Sequence, residues 1–213
     1  MNKSEITWFS GWASDVSVWE DEIYERFPNF SHRFVDYFDL ISYDEIIPKS
    51  GIAIGWSMGT LALLQNLDKK PLEQKWILVC PIADFCAEGC WSLSAVRATR
   101  QGILQNTKQT LMSFSAMMGD VQKEEREKWV ENAMRYSPKQ LAQGLDYLMQ
   151  KKVDLTLKET KNIELIFGEK DKIVPLAQKK LFPESISAKV CENLGHWLLD
   201  YARTAPLSAL VAS

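Results

Sequence analysis

The chain has 213 residues, of which 46% are hydrophobic, and its formal net charge is −3. This length and hydrophobic content suffice for the core of one domain, whereas no apolar run approaches the ~20 residues that a membrane-spanning helix needs. Residues 1–5 lack the pattern of a signal peptide. We therefore expect a cytoplasmic, monomeric protein with neither a membrane nor nucleic acid as a partner.

The cysteines predict neither a disulfide framework nor a zinc site. Cys86 and Cys90 have no histidine and no second cysteine pair nearby. All four cysteines are interpreted as reduced thiols: Cys80, Cys86, Cys90 and Cys191. No metal and no cofactor is expected.

The first predicted strand, Ile6–Phe9, leads directly into Ser10-Gly11-Trp12. Glycine allows the chain to turn sharply there. In hydrolases that use a serine nucleophile, the loop after an early strand supplies one of two backbone donors for the oxyanion. The N–H of Trp12 is our candidate for that donor.

A second predicted strand, Ser31–Phe38, contains His32, one of two histidines in the chain. His32 has no catalytic residue types around it and is interpreted as structural. The segment 39–50 then leads to the next strand, so the crossover helix expected there is short or absent.

The most informative motif is Gly55-Trp56-Ser57-Met58-Gly59. It reads G-x-S-x-G and lies between the apolar run Ile52–Ile54 and the helix-like run Thr60–Leu64. A strand followed at once by a helix is the context in which this pattern forms a nucleophile elbow. Ser57 is thus the candidate nucleophile, with the N–H of Met58 as the first oxyanion donor. The alternative is an ordinary strand–helix turn rich in small residues.

After a further strand at 76–79, residues 85–152 show helical spacing and no strand-like run. Ser137-Pro138-Lys139-Gln140 has the form of a capping box with proline at the first helical position. About four helices are predicted, which would form a cap over Ser57 and enclose an apolar pocket. The side chains proposed to line the pocket, each with a core position as its alternative, are Trp12, Trp56, Met112, Met117 and Met118.

The cap segment differs in charge from the rest of the chain. It has ten Lys or Arg against seven Asp or Glu residues, within a chain of net charge −3. Between Gly89 and Gly119 the charged residues are Arg97, Arg100 and Lys108. This basic surface favours an acidic partner or an anionic substrate tail, and the alternative is a solvated helix face.

The last two predicted strands carry the remaining candidate residues. Asp171 follows Ile163–Phe167 in a Gly-x-x-Asp-x-x-Val-Pro loop, and His196 follows Ala188–Cys191. Serine, acid and histidine thus come in the chain order of α/β-hydrolases, with His196 as the base and Asp171 as its orienting acid. Asp84, after the fourth strand, is the alternative acid.

Alternating strands and helices predict an α/β fold with a reduced, mostly parallel sheet and helices on both faces. We expect one α/β-hydrolase domain over residues 1–213, with a core formed by 1–84 and 153–213. The helical cap would be inserted at about 85–152.

Over nearly its whole length the chain resembles the pimeloyl-[acyl-carrier protein] methyl ester esterases, the BioH-type enzymes of biotin synthesis. The resemblance lies in Ser10-Gly11-Trp12, the elbow pentapeptide, the Asp171 and His196 loops, and Gly144–Leu148 leading to Val153–Leu155. Members of this family usually have a histidine where this chain has Ser10.

The resemblance implies hydrolysis of the methyl ester of a pimeloyl chain carried by acyl-carrier protein. It implies docking of that acidic partner on Arg97, Arg100 and Lys108, with Arg126 and Arg135 as further candidates. Two alternatives remain: a general carboxylesterase or acyl-thioesterase acting on small acyl substrates, and a hydrolase-fold binding protein without catalysis.

Overall fold

The computed structural model describes residues 3–42, 47–156 and 158–212. Within these ranges, six parallel strands form one sheet in the order β2-β1-β3-β4-β5-β6. The strands are β1 (Glu5–Phe9), β2 (Ser31–Val35), β3 (Ile52–Trp56), β4 (Lys75–Val79), β5 (Ile163–Gly168) and β6 (Ser187–Cys191). The α/β class and the parallel sheet expected from the sequence are confirmed.

Helices lie in most of the connections between the strands, and further helices follow β6. They are α1 (Glu20–Arg26), α2 (Tyr37–Ser42), α3 (Met58–Gln65), α4 (Leu93–Gln105), α5 (Thr107–Ser115), α6 (Lys123–Ala133), α7 (Pro138–Gln150), α8 (Leu198–Arg203) and α9 (Ala205–Ala212). In the ranges described, no helix has the length and apolar character needed to cross a membrane.

The strand order places the first loop of the chain beside the elbow. The chain starts in β1, adds β2 on one side and then returns to add β3 on the other. The carboxyl ends of β1 and β3 are therefore neighbours at a topological switch point, where ligands bind in open α/β sheets. Central strands are buried, as Ile6, Ile54 and Ile77 illustrate, whereas the edge strand β6 is largely exposed.

The segment between β4 and β5 contains α4, α5, α6 and α7 in the part of the chain that the structure describes. Each of three helices begins with a side-chain cap, from Ser92, Asn106 and Ser137. The capping box predicted at Ser137 is present, because its side chain accepts from the N–H of Gln140 while the Gln140 side chain accepts from the N–H of Ser137. These four helices are called the cap below.

Two elements differ from the sequence prediction. The strand predicted over 31–38 ends at Val35, and Tyr37 begins the short helix α2. Helix α1, between β1 and β2, was not predicted. The short crossover before β3 agrees with α2, although residues 43–46 of that segment lie outside the described residues.

Candidate active site

The turn between β3 and α3 holds Ser57 in an unusual backbone conformation. Its φ and ψ are 54° and −119°, a region that L-residues rarely occupy. A Cβ on Gly55 would come within 3.0 Å of the backbone N of Thr60, and one on Gly59 within 2.2 Å of the carbonyl oxygen of Phe9. Glycine at both positions therefore lets α3 pack closely against β3 and the end of β1, with Ser57 at the N-terminus of the helix.

Ser57, His196 and Asp171 form a continuous hydrogen-bonded chain. The Oγ of Ser57 lies 3.0 Å from Nε2 of His196, and Nδ1 of His196 lies 2.8 Å from Oδ2 of Asp171. All three residues are buried. With the ring proton on Nδ1, the imidazole donates to the carboxylate and accepts from the hydroxyl, which is the tautomer that a general base requires.

The carboxylate of Asp171 is held in place by its own loop. Its Oδ1 accepts from the backbone N–H groups of Ile173 and Val174, both at 2.8 Å. Its Oδ2 is thereby left to accept from His196. Hydrogen bonds of this kind stabilise a buried carboxylate and fix its orientation. Asp84, the alternative acid, instead accepts from the N–H of Cys86 at 2.9 Å.

The loop that carries His196 is anchored on three sides. The N–H of His196 donates to the carbonyl oxygen of Met118 at 2.7 Å. Its own carbonyl oxygen accepts from the indole N–H of Trp56 at 2.8 Å. The hydroxyl of Tyr201 donates to the carbonyl oxygen of Gly195 at 2.6 Å. The His196 loop is thus held from β3, from α8 and from the segment between α5 and α6.

Cys80, which follows β4, lies beside Asp171 and His196. The sequence analysis did not place it at the site. The Sγ of Cys80, a carboxylate oxygen of Asp171 and a ring nitrogen of His196 lie within 4.8 Å of one another. Burial, together with the nearby Asp171 carboxylate, raises the pKa of the Cys80 thiol well above its usual value. The thiol is therefore neutral and donates to the hydroxyl of Tyr201 at 3.4 Å. No local sequence pattern indicates this contact, since the fold alone brings these residues together.

The two candidate oxyanion donors lie on neighbouring segments. Met58 is the first residue of α3, so its N–H has no carbonyl partner within the helix. Trp12 lies in the loop after β1, residues 10–18, which we call the β1 loop. Ser10, where the resembling family has histidine, is buried, and its N–H donates to the carbonyl oxygen of Val35 at 3.0 Å. Together with Gly59, this anchor keeps the β1 loop close to the N-terminus of α3.

The proposed pocket residues fall into different environments. The indole N–H of Trp12 donates to the carbonyl oxygen of Leu141 in α7, and the Trp12 ring contacts Phe114 of α5 edge-on at 4.9 Å. Trp56 is buried against the His196 loop, in the position of a supporting core side chain. Met117 is partly buried against the core.

Met112 and Lys108 belong to a different surface. Both line a groove of about 680 Å³ between α5 and α6, and Met112 is 49% exposed. Within the described chain, the residues that line this groove include none of the Ser57–His196–Asp171 chain. The groove also contains Arg126.

The remaining cations proposed for docking are not equivalent. Arg97 is exposed, but the Nε of Arg100 lies 2.7 Å from the Asp146 carboxylate and joins α4 to α7. Arg135 donates to the hydroxyl of Ser17 at 3.2 Å.

His32 has a structural role, as the sequence predicted. Its Nδ1 accepts from the indole N–H of Trp8 at 3.1 Å, and its Nε2 lies 3.0 Å from the carbonyl oxygen of Phe27. Burial lowers the pKa of His32, so the ring is neutral and links β2 to β1.

Comparison with known proteins identifies the fold. No protein-family model and no curated protein matches the sequence. Among solved structures, an esterase from Exiguobacterium antarcticum is similar with a TM-score of 0.83 and 17% identity, covering 100% of this chain and 93% of the other. A bromoperoxidase from Bacillus anthracis has a TM-score of 0.74 and 14% identity, with the same coverage of both chains.

A putative aryl esterase from Burkholderia cenocepacia is also similar, with a TM-score of 0.74 and 16% identity, covering 99% of this chain and 90% of the other. At these identities the similarity establishes the fold. The chain therefore has the α/β-hydrolase fold.

Proposed function

We propose that the protein is a serine hydrolase of carboxylic esters, with Ser57 as nucleophile, His196 as general base and Asp171 as the residue that orients the base. The observation that carries this proposal is the buried hydrogen-bonded chain from Ser57 Oγ through His196 to Asp171. Its support is the position of Ser57 on a strained turn at a helix N-terminus, which favours developing negative charge. The structural neighbours described as esterases agree with it.

In the proposed reaction, His196 Nε2 takes the proton of Ser57 while Oγ attacks the ester carbonyl carbon. The oxyanion of the tetrahedral intermediate accepts from the N–H groups of Met58 and Trp12. His196 then protonates the leaving alcohol and the acyl-enzyme forms. Water, deprotonated by His196, attacks the acyl-enzyme, and collapse of the second intermediate releases the carboxylic acid and restores the Ser57 hydroxyl.

The more specific proposal is that the substrate is the methyl ester of pimeloyl-acyl-carrier protein. The motifs shared with the BioH-type esterases support it, as does the basic character of the cap. Among the three cations first proposed for docking, Arg97 and Lys108 are the better candidates, because the charge of Arg100 is already compensated by Asp146.

The experiment that tests this compares wild type with Ser57→Ala on the carrier-bound methyl ester and on a short nitrophenyl ester. Hydrolysis of both, lost in the variant, supports the nucleophile and the carrier-bound substrate. Hydrolysis of the small ester alone supports ester hydrolysis by Ser57 and refutes the carrier-bound methyl ester as the substrate. Inactivity on both refutes the esterase and favours a hydrolase-fold binding protein.

Docking is tested separately with Arg97→Glu and Lys108→Glu, using Lys189→Glu on the exposed strand β6 as a control of equal charge change. The cap variants are expected to lower kcat/KM for the carrier-bound ester about tenfold, with a salt-dependent loss, and to leave the small ester unchanged. Equal losses in all three variants would contradict docking on the cap.

A further inference from the structure

The β1 loop, which carries Trp12, has a strained backbone. Ala13 has φ 60°, a left-handed conformation that disfavours a residue with a Cβ. Such a conformation persists only where the surrounding structure holds it. From the core, the β1 loop is tied through the N–H of Ser10 to Val35 and through the N–H of Tyr37 to the carbonyl oxygen of Ser14, the latter a long contact of 3.4 Å.

The cap contributes a shorter contact to the same loop. The indole N–H of Trp129, in α6, donates to Oγ of Ser14 at 2.7 Å. The Ser14 hydroxyl in turn donates to the carbonyl oxygen of Trp12 at 3.4 Å. Trp129 and Ser14 are both fully buried. A directed chain of donors thus runs from the cap to the peptide unit that follows Trp12, on the other side of the strained Ala13.

A second residue of α6 holds the next turn of the loop. The side-chain amide of Asn132 donates to Oδ1 of Asp15 and to Oγ of Ser17, both at 2.6 Å. The side-chain oxygen Oδ1 of Asn132 accepts from the backbone N–H of Asp15 at 3.2 Å. Asn132 is 5% exposed, so these bonds are made in a protected environment where their loss is costly.

We propose that Trp129 and Asn132 are positioning residues for the oxyanion site. Helix α6 of the cap holds the β1 loop in the strained form in which the N–H of Trp12 serves as the second oxyanion donor. Neither side chain contacts the reacting atoms. This inference rests on the proposed ester hydrolysis by Ser57 and adds to it that the oxyanion site is complete only while the cap is seated.

The test uses Trp129→Phe, which retains an aromatic ring and removes the donor, together with Ser14→Ala and the double variant. Trp76→Phe, in β4, is the matched control, because it deletes another buried indole N–H, which donates to the side-chain oxygen of Gln74 at 2.7 Å. Glu125→Gln removes a different contact between α6 and the core, the ion pair with Arg203. Steady-state hydrolysis of a nitrophenyl ester is measured with the affinity for phenylboronic acid, whose tetrahedral adduct with a serine mimics the oxyanion.

Trp129→Phe and Ser14→Ala are each expected to lower kcat about tenfold and to leave KM nearly unchanged. This loss is smaller than the roughly 10²–10³-fold fall in kcat that follows complete removal of an oxyanion donor. The affinity for the boronic acid is expected to fall by a similar factor. The double variant should be no worse than Ser14→Ala alone, because both changes break one chain. Both controls should retain the wild-type kcat.

An equal loss in Trp129→Phe and Trp76→Phe, or additive losses in the double variant, would overturn the inference while leaving the esterase intact. Should Trp129→Phe fail to fold, Ser14→Ala and Asn132→Ala provide the same measurement, and an unchanged boronic acid affinity in both would refute the proposal. A wild-type protein that hydrolyses no ester and does not react at Ser57 with a fluorophosphonate would remove the proposed function and this inference with it.

Discussion

The N–H of His196 donates to the carbonyl oxygen of Met118 at 2.7 Å, which ties the loop of the proposed base directly to the segment between α5 and α6. Two glycines make the approach possible. A Cβ on Gly195 would lie 2.5 Å from that same carbonyl oxygen and 2.9 Å from the Cα of Gly119. The two backbones meet without side chains between them, so the position of the imidazole depends on this contact.

Gly195→Ala should therefore displace the His196 loop. The added methyl group would collide with backbone atoms of Met118 and Gly119, which cannot rotate away as a side chain can. We expect kcat to fall about 100-fold, because small misplacements of a catalytic group are costly, and stability to fall by about 1–3 kcal/mol. Ester hydrolysis and thermal unfolding check this, and an unchanged kcat would show that the contact does not position His196.

Asp171→Asn should disturb the tautomer of His196 without disturbing the fold of the Asp171 loop. The side-chain carbonyl oxygen of an asparagine can still accept hydrogen bonds from the N–H groups of Ile173 and Val174, so the loop should keep its conformation. Its amide would then face Nδ1 of His196 and favour the opposite tautomer, which cannot accept the Ser57 proton. By analogy with the corresponding change in a serine protease, kcat should fall about 10⁴-fold. A loss below about tenfold would contradict the role of Asp171.

Ser57→Gly and Ser57→Ala should both abolish hydrolysis but differ in stability. Because Ser57 has a positive φ of 54°, alanine retains the backbone strain and glycine relieves it. After allowing for the greater freedom of glycine in the unfolded chain, we expect the glycine variant to be more stable by about 1 kcal/mol. Denaturant unfolding measures the difference, and equal stabilities would argue against strain at the nucleophile.

Asp36 should make the fold less stable as the pH rises. Burial, followed by the charges of Asp15 and Asp39, raises the pKa of Asp36 from 3.8 to about 6. The folded state therefore retains a proton that the unfolded chain releases, and this contribution is present below about pH 4 and lost as the pH rises through 6. Asp36→Asn should stabilise the protein by about 1 kcal/mol at pH 8, after allowance for solvent screening.

At pH 3.5 the same substitution should have little effect, because the aspartic acid is then neutral in the folded state and mostly neutral in the unfolded state. Thermal unfolding of wild type and Asp36→Asn at the two pH values provides the comparison. A gain at pH 3.5 as large as that at pH 8 would mean that packing, and not charge, is responsible.

The candidate site could be predicted from the sequence because each of its three residues follows a strand of the parallel sheet. Ser57, Asp171 and His196 come after β3, β5 and β6, and carboxyl ends of parallel strands share one edge of a sheet. Local patterns thus suffice to predict which loops meet. They do not predict the hydrogen bond from Trp56 to His196, which joins positions 140 residues apart.

The prediction failed where apolar periodicity is weak or ambiguous. Helix α1 buries only Ile23 among its seven residues, so no apolar stripe marks it. In the segment from Phe34 to Phe38, apolar residues suit a strand as well as a helix, and the strand gives way to the helix at Asp36, between Val35 and Tyr37. Contacts between the cap and the β1 loop join residues more than 100 positions apart, such as Trp129 and Ser14, and depend on the tertiary fold.

Trp56 and Ser57 are consecutive, yet one supports the base and the other is the proposed nucleophile. The indole N–H of Trp56 donates to the carbonyl oxygen of His196, and the hydroxyl of Ser57 donates to Nε2 of the His196 ring. The nucleophile and the loop of the base are consequently both attached to the carboxyl end of β3. A shift of that end of β3 would therefore move Oγ and Nε2 together, whereas a shift of the Met118 segment would act on the base alone.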